Sequence, residues 1–213
     1  MVELVSIEES RVLVEEKTHA PVKDKTNYFK KKTMKIRTYI TKTISPWIYD
    51  NSICYKTIES STPRPMIQIA KEHFSHTNRL IGAEVGVDKG RNALSILQTL
   101  PIKKLYLIDI IQTEDAKLIH HFGNIHWLIM KSEEACKEIH ESLDFCYIDG
   151  NHEYSYVCKD LVSYYSLLKP NGLLGGHDYG PSESGVKKAV NEFARENGLK
   201  LNVSFPDFWL VKP

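Results

Sequence analysis

Five short apolar runs dominate the chain from residue 80 onward: Leu80 to Val85, Leu105 to Ile108, Ile125 to Met130, Leu143 to Ile148 and Leu173 to Gly176. An amphipathic stretch follows each, over Asn92 to Thr99, Thr113 to His121, Ser132 to His140, Tyr154 to Leu168 and Ser184 to Glu196. Apolar runs this short read as strands buried on both faces, and strands alternating with helical patterns build a parallel sheet with helical crossovers. Right-handed crossovers distribute those helices over both faces. Upstream, Met66, Ile67, Ala70 and Phe74 recur at helical spacing after two prolines, which predicts a helix over 64–76. Downstream, Leu201 to Phe205 and Phe208 to Val211 flank Pro206-Asp207 as a terminal hairpin. The expected fold is therefore α/β, a doubly wound, mostly parallel seven-stranded sheet ending in an antiparallel hairpin.

A chain of 213 residues, 42% hydrophobic, can bury one sizeable core. The strand and helix pattern accounts for residues 63–213 as one domain. Residues 1–62 stand apart as a leader, acidic and then basic, with eight Lys or Arg and one acid between positions 23 and 42. Such a segment is either solvated or meets substrate or a second copy of the chain, which makes a homo-oligomer one expectation. Overall, 28 basic against 27 acidic side chains leave a formal net charge of +1, which offers no field for nucleic acid or polyanions. No stretch approaches eighteen apolar residues and no secretion signal opens the chain, so the expectation is a cytoplasmic protein without a membrane span. The four cysteines, Cys54, Cys136, Cys146 and Cys158, lack zinc-like spacing and read as free thiols.

Ligands of open parallel sheets bind beyond the carboxyl ends of the strands, so the residues that follow each apolar run carry the functional information. The first run ends in Glu84-Val85-Gly86-Val87-Asp88-Lys89-Gly90, just before a helical pattern. Glycine lets backbone approach a ligand, and a helix start supplies free N–H groups. A dinucleotide fingerprint with its second glycine at Gly86 would need glycines where Glu84 and Lys89 stand, which excludes that motif. An acid at Glu84 instead complements a cation such as the ammonium of an amino-acid-like tail, a group that S-adenosylmethionine carries. The second run ends at Asp109, placed to accept hydrogen bonds from ribose hydroxyls. The third leads to Ser132, which either caps the next helix or touches an adenine edge.

The fourth and fifth strands are the most distinctive. One ends in Asp149-Gly150-Asn151-His152, the other in His177-Asp178, and adjacent strands should bring the two aspartates together. Two carboxylates at one sheet edge can hold a divalent cation, with water or substrate oxygens completing its shell.

Together, AEVGVDKG, YLID, FCYIDGNHEYSYVCKDL, LLKPNGLLGGHDY and GVKKAVNEF resemble the class I S-adenosylmethionine-dependent methyltransferases over residues 64–213. More narrowly, they are similar to a branch with metal-dependent sugar O-methyltransferases and cephalosporin-hydroxylase-like proteins. The resemblance implies that Glu84, Gly86 and Gly90 surround the methionine part of the cofactor and Asp109 its ribose, with Asn92 and Ser132 as further contacts. It also implies a metal and base site from Asp149, His152 and Asp178. His177 departs from the pattern, standing where the sugar enzymes place a carboxylate. A two-carboxylate site suits Mg²⁺, whereas a set with Asp149, His177 and Asp178 as ligands suits Mn²⁺, Fe²⁺ or Zn²⁺ as well.

The resulting expectation is metal-assisted methylation of a hydroxyl on a sugar or other small molecule, with Asp149 and His152 as catalytic residues and His152 as base. The alternatives are a metal-dependent hydroxylase on the same fold, or a non-catalytic cofactor-binding or assembly protein.

Overall fold

The computed structural model describes residues 63–181 and 184–213; the leader expected over 1–62 lies outside the described residues. Strand β1 (Leu80–Val85), β2 (Ile102–Asp109), β3 (Ile125–Ile129), β4 (Leu143–Ile148), β5 (Leu168–Gly176), β6 (Asn202–Ser204) and β7 (Asp207–Val211) form one sheet. The helices are α1 (Pro65–His73), α2 (Arg91–Thr99), α3 (Glu114–Lys117), α4 (Ser132–Glu138), α5 (Tyr154–Leu167) and α6 (Ser184–Glu196).

The order across the sheet is β3-β2-β1-β4-β5-β7-β6, with β1 to β5 parallel and β7 running antiparallel to both β5 and β6. The expected seven strands and terminal hairpin are thus present. Every residue of β1 and β4 is buried, as their unbroken apolar runs require of strands covered on both sides. The exception in β4, Asp144, is made tolerable by two partners: its carboxylate accepts the Ile81 N–H at 2.7 Å and the Lys169 ammonium at 2.7 Å.

Two apolar layers flank the sheet. Leu105, Leu107, Phe145 and Tyr147 pack against Met66, Ile67 and Ala70 of α1 and Ala93, Leu94 and Ile96 of α2. Val85, Ile108, Cys146 and Ile148 face the other way, toward Ala135 of α4, Val157 and Leu161 of α5, and Val190 of α6. The change of face places the crevice of the switch point between β1 and β4, where chain order reverses.

The structure corrects the expectations in two places. The helix expected over 113–121 is one turn, α3, followed by a 3₁₀ turn at Leu118–His121. Asp207, expected in the turn of the hairpin, is instead the fully buried first residue of β7.

Candidate active site

Hydrogen bonds that extend the ladders set the level of the site. Gly86 N–H donates to Ile108 O at 2.8 Å, Asp149 N–H to Val85 O at 2.7 Å, and His177 N–H to Ile148 O at 3.1 Å. Asp109, Asp149 and His177 therefore leave their strands side by side at the carboxyl edge.

The loop after β1 can only be built from this sequence. Gly86 has φ 84°, and a Cβ there would lie 2.0 Å from the Asp149 carbonyl oxygen. Gly90, with φ 76°, starts α2, and a Cβ there would meet the Ile119 side chain at 2.2 Å. Between them the loop is tied down by Asp109, whose Oδ2 accepts the N–H groups of Val87 at 2.8 Å and Asp88 at 3.1 Å. Asp109 Oδ1 accepts only a long bond, 3.2 Å, from Ile111 N–H. The carboxylate expected at a ribose thus also holds the glycine loop, with acceptor capacity left on Oδ1.

Glu84 lies beneath this loop, in register with Tyr147 of β4 and Leu107 of β2 and on the α1/α2 face of the sheet. It is 1% exposed; Oε1 accepts the Asn92 amide at 2.9 Å, while Oε2 has no partner among the described residues. Burial pushes its pKa up to about 8. An orphaned, buried carboxylate oxygen is the kind of group that a ligand cation completes, so the residues present fit the ammonium of S-adenosylmethionine.

A cavity of about 490 Å³ opens above β1, β2, β3 and β4. Its walls come from Gly86, Asp109, Ile110, the Met130–Glu133 segment, Asp149–Asn151, and Tyr156 and Asp160 of α5. Ser132 is on this wall, and Lys131, not Ser132, occupies the cap position of α4, without a side-chain capping bond. The capping role considered for Ser132 is therefore absent; its hydroxyl instead acts on Asp160, where it works against the effect of burial. Asp160 is 3% exposed, and burial pushes its pKa up to about 6.

Beside the cavity, Asp149 and Asp178 converge as the strand order requires, with His152 between them. His152 Nε2 is 3.7 Å from Asp149 Oδ1 and 3.1 Å from Asp178 Oδ2. One donor atom from each of Asp149, His152 and Asp178 lies within 4.8 Å of the other two. Metal–donor bonds of about 2.1 Å at right angles put neighbouring ligands about 3 Å apart, so this oxygen and imidazole set fits a divalent cation. His177 Nδ1 is 2.9 Å from Asp178 Oδ1 and 4.0 Å from Asp149 Oδ1, at the border of the same group. Asp178 adopts φ 61°, a left-handed conformation that Asp tolerates better than most residues.

Four residues escape the strand-end reading. Arg64, just before α1, donates from Nη1 to Asp149 Oδ2 at 2.6 Å and to the Tyr147 hydroxyl at 3.0 Å. Tyr147 in turn donates to Asp207 Oδ1 at 3.0 Å, and Asp207 Oδ2 accepts Met66 N–H at 3.0 Å. The chain of bonds fastens the start of α1 to the carboxyl edge of the sheet. The two oxygens of Asp149 are thereby divided, Oδ2 toward Arg64 and Oδ1 toward the histidines. In the sequence, Arg64 carries no sign beyond its place before a helix, and Tyr147 and Asp207 look like strand and turn residues. Asp160 was detectable only as an acid on the apolar side of α5.

A family model described as a methyltransferase domain matches residues 83–179, from β1 through the end of β5. No curated protein matches the sequence. Among solved structures, a putative caffeoyl-CoA O-methyltransferase from Staphylococcus aureus aligns with TM-score 0.57 at 15% identity, over 84% of this chain and 98% of that one. A putative methyltransferase from Streptococcus mutans in complex with SAH aligns with TM-score 0.55 at 15% identity, over 71% of this chain and 98% of that one. MycE methyltransferase from the mycinamycin biosynthetic pathway, in complex with Mg and SAH, aligns with TM-score 0.54 at 15% identity, over 68% of this chain. The match spans about half, 49%, of the MycE chain. The fold is that of the class I S-adenosylmethionine-dependent methyltransferases. Among the described residues, no helix is long and apolar enough to cross a membrane.

Proposed function

We propose that this chain, with the class I methyltransferase fold as its premise, methylates a hydroxyl oxygen of a sugar or other small molecule. The observation that carries the reading is the place of Asp149, whose backbone carbonyl packs against Gly86 of the loop that fits the donor while its side-chain Oδ1 faces His152 of the Asp149–His152–Asp178 cluster. Donor and acceptor sites would thereby meet at one residue.

Glu84, Gly86, Gly90 and Asn92 would hold the methionine part of S-adenosylmethionine, and Asp109 and Ser132 its ribose and adenine. Asp149 and Asp178 would hold a divalent cation, with His177 completing the set or orienting Asp178 through Oδ1. When bound, the donor supplies a methyl group already activated by its sulfonium, and the cation acidifies a coordinated hydroxyl. The chain's own work is alignment and proton removal. His152, beside the carboxylates rather than in the cation's shell, would take the hydroxyl proton, and Asp178 and Asp149, 3.1 and 3.7 Å from its Nε2, would stabilise the imidazolium so formed. Ile108, Ile110 and Met130 line the cavity and would give the donor an apolar wall.

The neighbours support this reading by their names, which include one putative caffeoyl-CoA O-methyltransferase and a methyltransferase crystallised with Mg and SAH. The test is transfer of labelled methyl from S-adenosylmethionine to a panel of sugars and catechols, with and without chelator. Expected is transfer that chelator abolishes and added Mg²⁺ or Mn²⁺ restores. Chelator-independent transfer would refute the cation, and oxygen consumption without methylation would favour a hydroxylase.

A further inference from the structure

On the reading that Asp178 holds a cation and His152 removes a proton, we infer that helix α6 sets the gap between them, with Glu192 and Asn191 as positioning residues that act through Tyr154 and Tyr179.

The β4–β5 ladder ends at the bond from His177 N–H to Ile148 O, before the loops that carry His152 and Asp178. Both loops then lie against α6. A Cβ at Gly185 would stand 2.5 Å from the His152 carbonyl oxygen and 2.9 Å from the Tyr154 nitrogen, so only glycine lets the helix come this close. Tyr154, the first residue of α5 and two beyond His152, donates its hydroxyl to Glu192 Oε2 at 2.5 Å, and the Lys188 ammonium stands 4.4 Å from the centroid of its ring. On the other loop, the Tyr179 hydroxyl, next to Asp178, accepts the Asn191 amide at 3.0 Å, and the Lys187 ammonium is 5.9 Å from the centroid of that ring. Asn191 gives a second N–H to the Lys187 carbonyl at 2.6 Å, which fixes the amide.

Helical periodicity sorts these contacts. Gly185, Lys188 and Glu192 are three and four residues apart and form one stripe of α6, against the His152 loop. Lys187 and Asn191, four apart, form a second stripe, against the Asp178 loop. Between the stripes runs the buried face, where Val186, Ala189 and Val190 are at most 3% exposed. A helix packed in this way cannot shift without opening the core, so it grips one loop on each flank as a fixed support. The 3.1 Å from His152 Nε2 to Asp178 Oδ2 is then set by one helix, although the two residues leave different strands.

Three measurements on the full chain test the assignment: labelled methyl transfer at saturating S-adenosylmethionine and Mn²⁺, Mn²⁺ titration followed by electron spin resonance, and calorimetry with S-adenosylhomocysteine. Tyr154→Phe and Glu192→Ala, which release the base, should slow transfer about ten-fold and hold Mn²⁺ affinity within about two-fold. Glu192→Gln keeps an acceptor for the tyrosine hydroxyl and should recover most of the rate. Tyr179→Phe and Asn191→Ala, which release the cation ligand, should weaken Mn²⁺ about five-fold and also slow transfer. With both tyrosines replaced, transfer should slow by less than the product of the two single losses, because either release already opens the gap. Every variant should bind S-adenosylhomocysteine within about two-fold of wild type, since α6 contributes no described residue to the cavity wall. The assignment is overturned by a double loss equal to the product, by Glu192→Gln as slow as Glu192→Ala, or by S-adenosylhomocysteine weakening in step with the rate. Asn191 and Glu192 lie outside the core, so their variants carry the test if a tyrosine variant misfolds. Wild type that binds no Mn²⁺ overturns the cation reading itself, and the positioning role of α6 with it.

Discussion

Replacing Glu84 by Gln should stabilise the protein while removing donor binding, and the size of the gain should depend on pH. In the folded chain the Glu84 carboxyl is pushed from an ordinary value of 4.5 up to about 8 by burial. A folded pKa above the unfolded one means that the folded state holds its proton more tightly. Ionisation therefore costs nothing below about pH 4.5, and stability falls as pH rises from there to 8. At about 1.4 kcal/mol for each pH unit crossed, the loss is about 3 kcal/mol at pH 7 and about 5 kcal/mol above pH 8. Gln keeps an acceptor for the Asn92 amide and cannot ionise, so it escapes that loss. Urea unfolding of wild type and Glu84→Gln, run in parallel between pH 5 and 9, reports the difference, and other titrating groups cancel in it. Expected is a stability gap that widens with a slope of about 1.4 kcal/mol per pH unit and levels off near pH 8. A gap that does not change with pH, or a variant less stable than wild type at pH 8.5, would refute the reasoning. Saturating S-adenosylhomocysteine should narrow the gap, because its ammonium stabilises the ionised carboxylate that Gln lacks.

The same titration predicts that S-adenosylhomocysteine binding at pH 7 releases close to one proton and at pH 9 almost none, read from binding heats in buffers of different ionisation enthalpy; equal heats in all buffers at pH 7 would contradict it. His152→Ala should slow methyl transfer at least about 100-fold, with S-adenosylhomocysteine affinity within a few-fold, measured by labelled transfer and calorimetry. Asp178→Asn should likewise abolish the response of transfer to added divalent cation. Gly86→Ala, which forces a side chain at φ 84° against the Asp149 carbonyl, should cost about 2–5 kcal/mol of stability in urea unfolding and eliminate donor binding.

The sequence by itself determined the layout of the sheet. The boundaries of β1 and β4 follow from runs buried on both faces, and the helix pattern between strands leaves few topologies open. It also placed Asp109, Asp149 and Asp178 at the carboxyl edge of the sheet, with Glu84 one residue inside the end of β1, because where a strand ends follows from its apolar run. Local pattern could not reach what depends on neighbours distant in the chain. Arg64 is 85 residues from Asp149, and no periodicity links them. Asp207 looks like a turn residue until the sheet places it under Met66 and Tyr147. Asp109 looks like a pure ligand contact until its carboxylate is found closing the loop at Val87 and Asp88. Strand ends are fixed by burial, which short segments encode; the sharing of one carboxylate, Asp149, between Arg64 and His152 is a property of packing, and only the assembled sheet decides it.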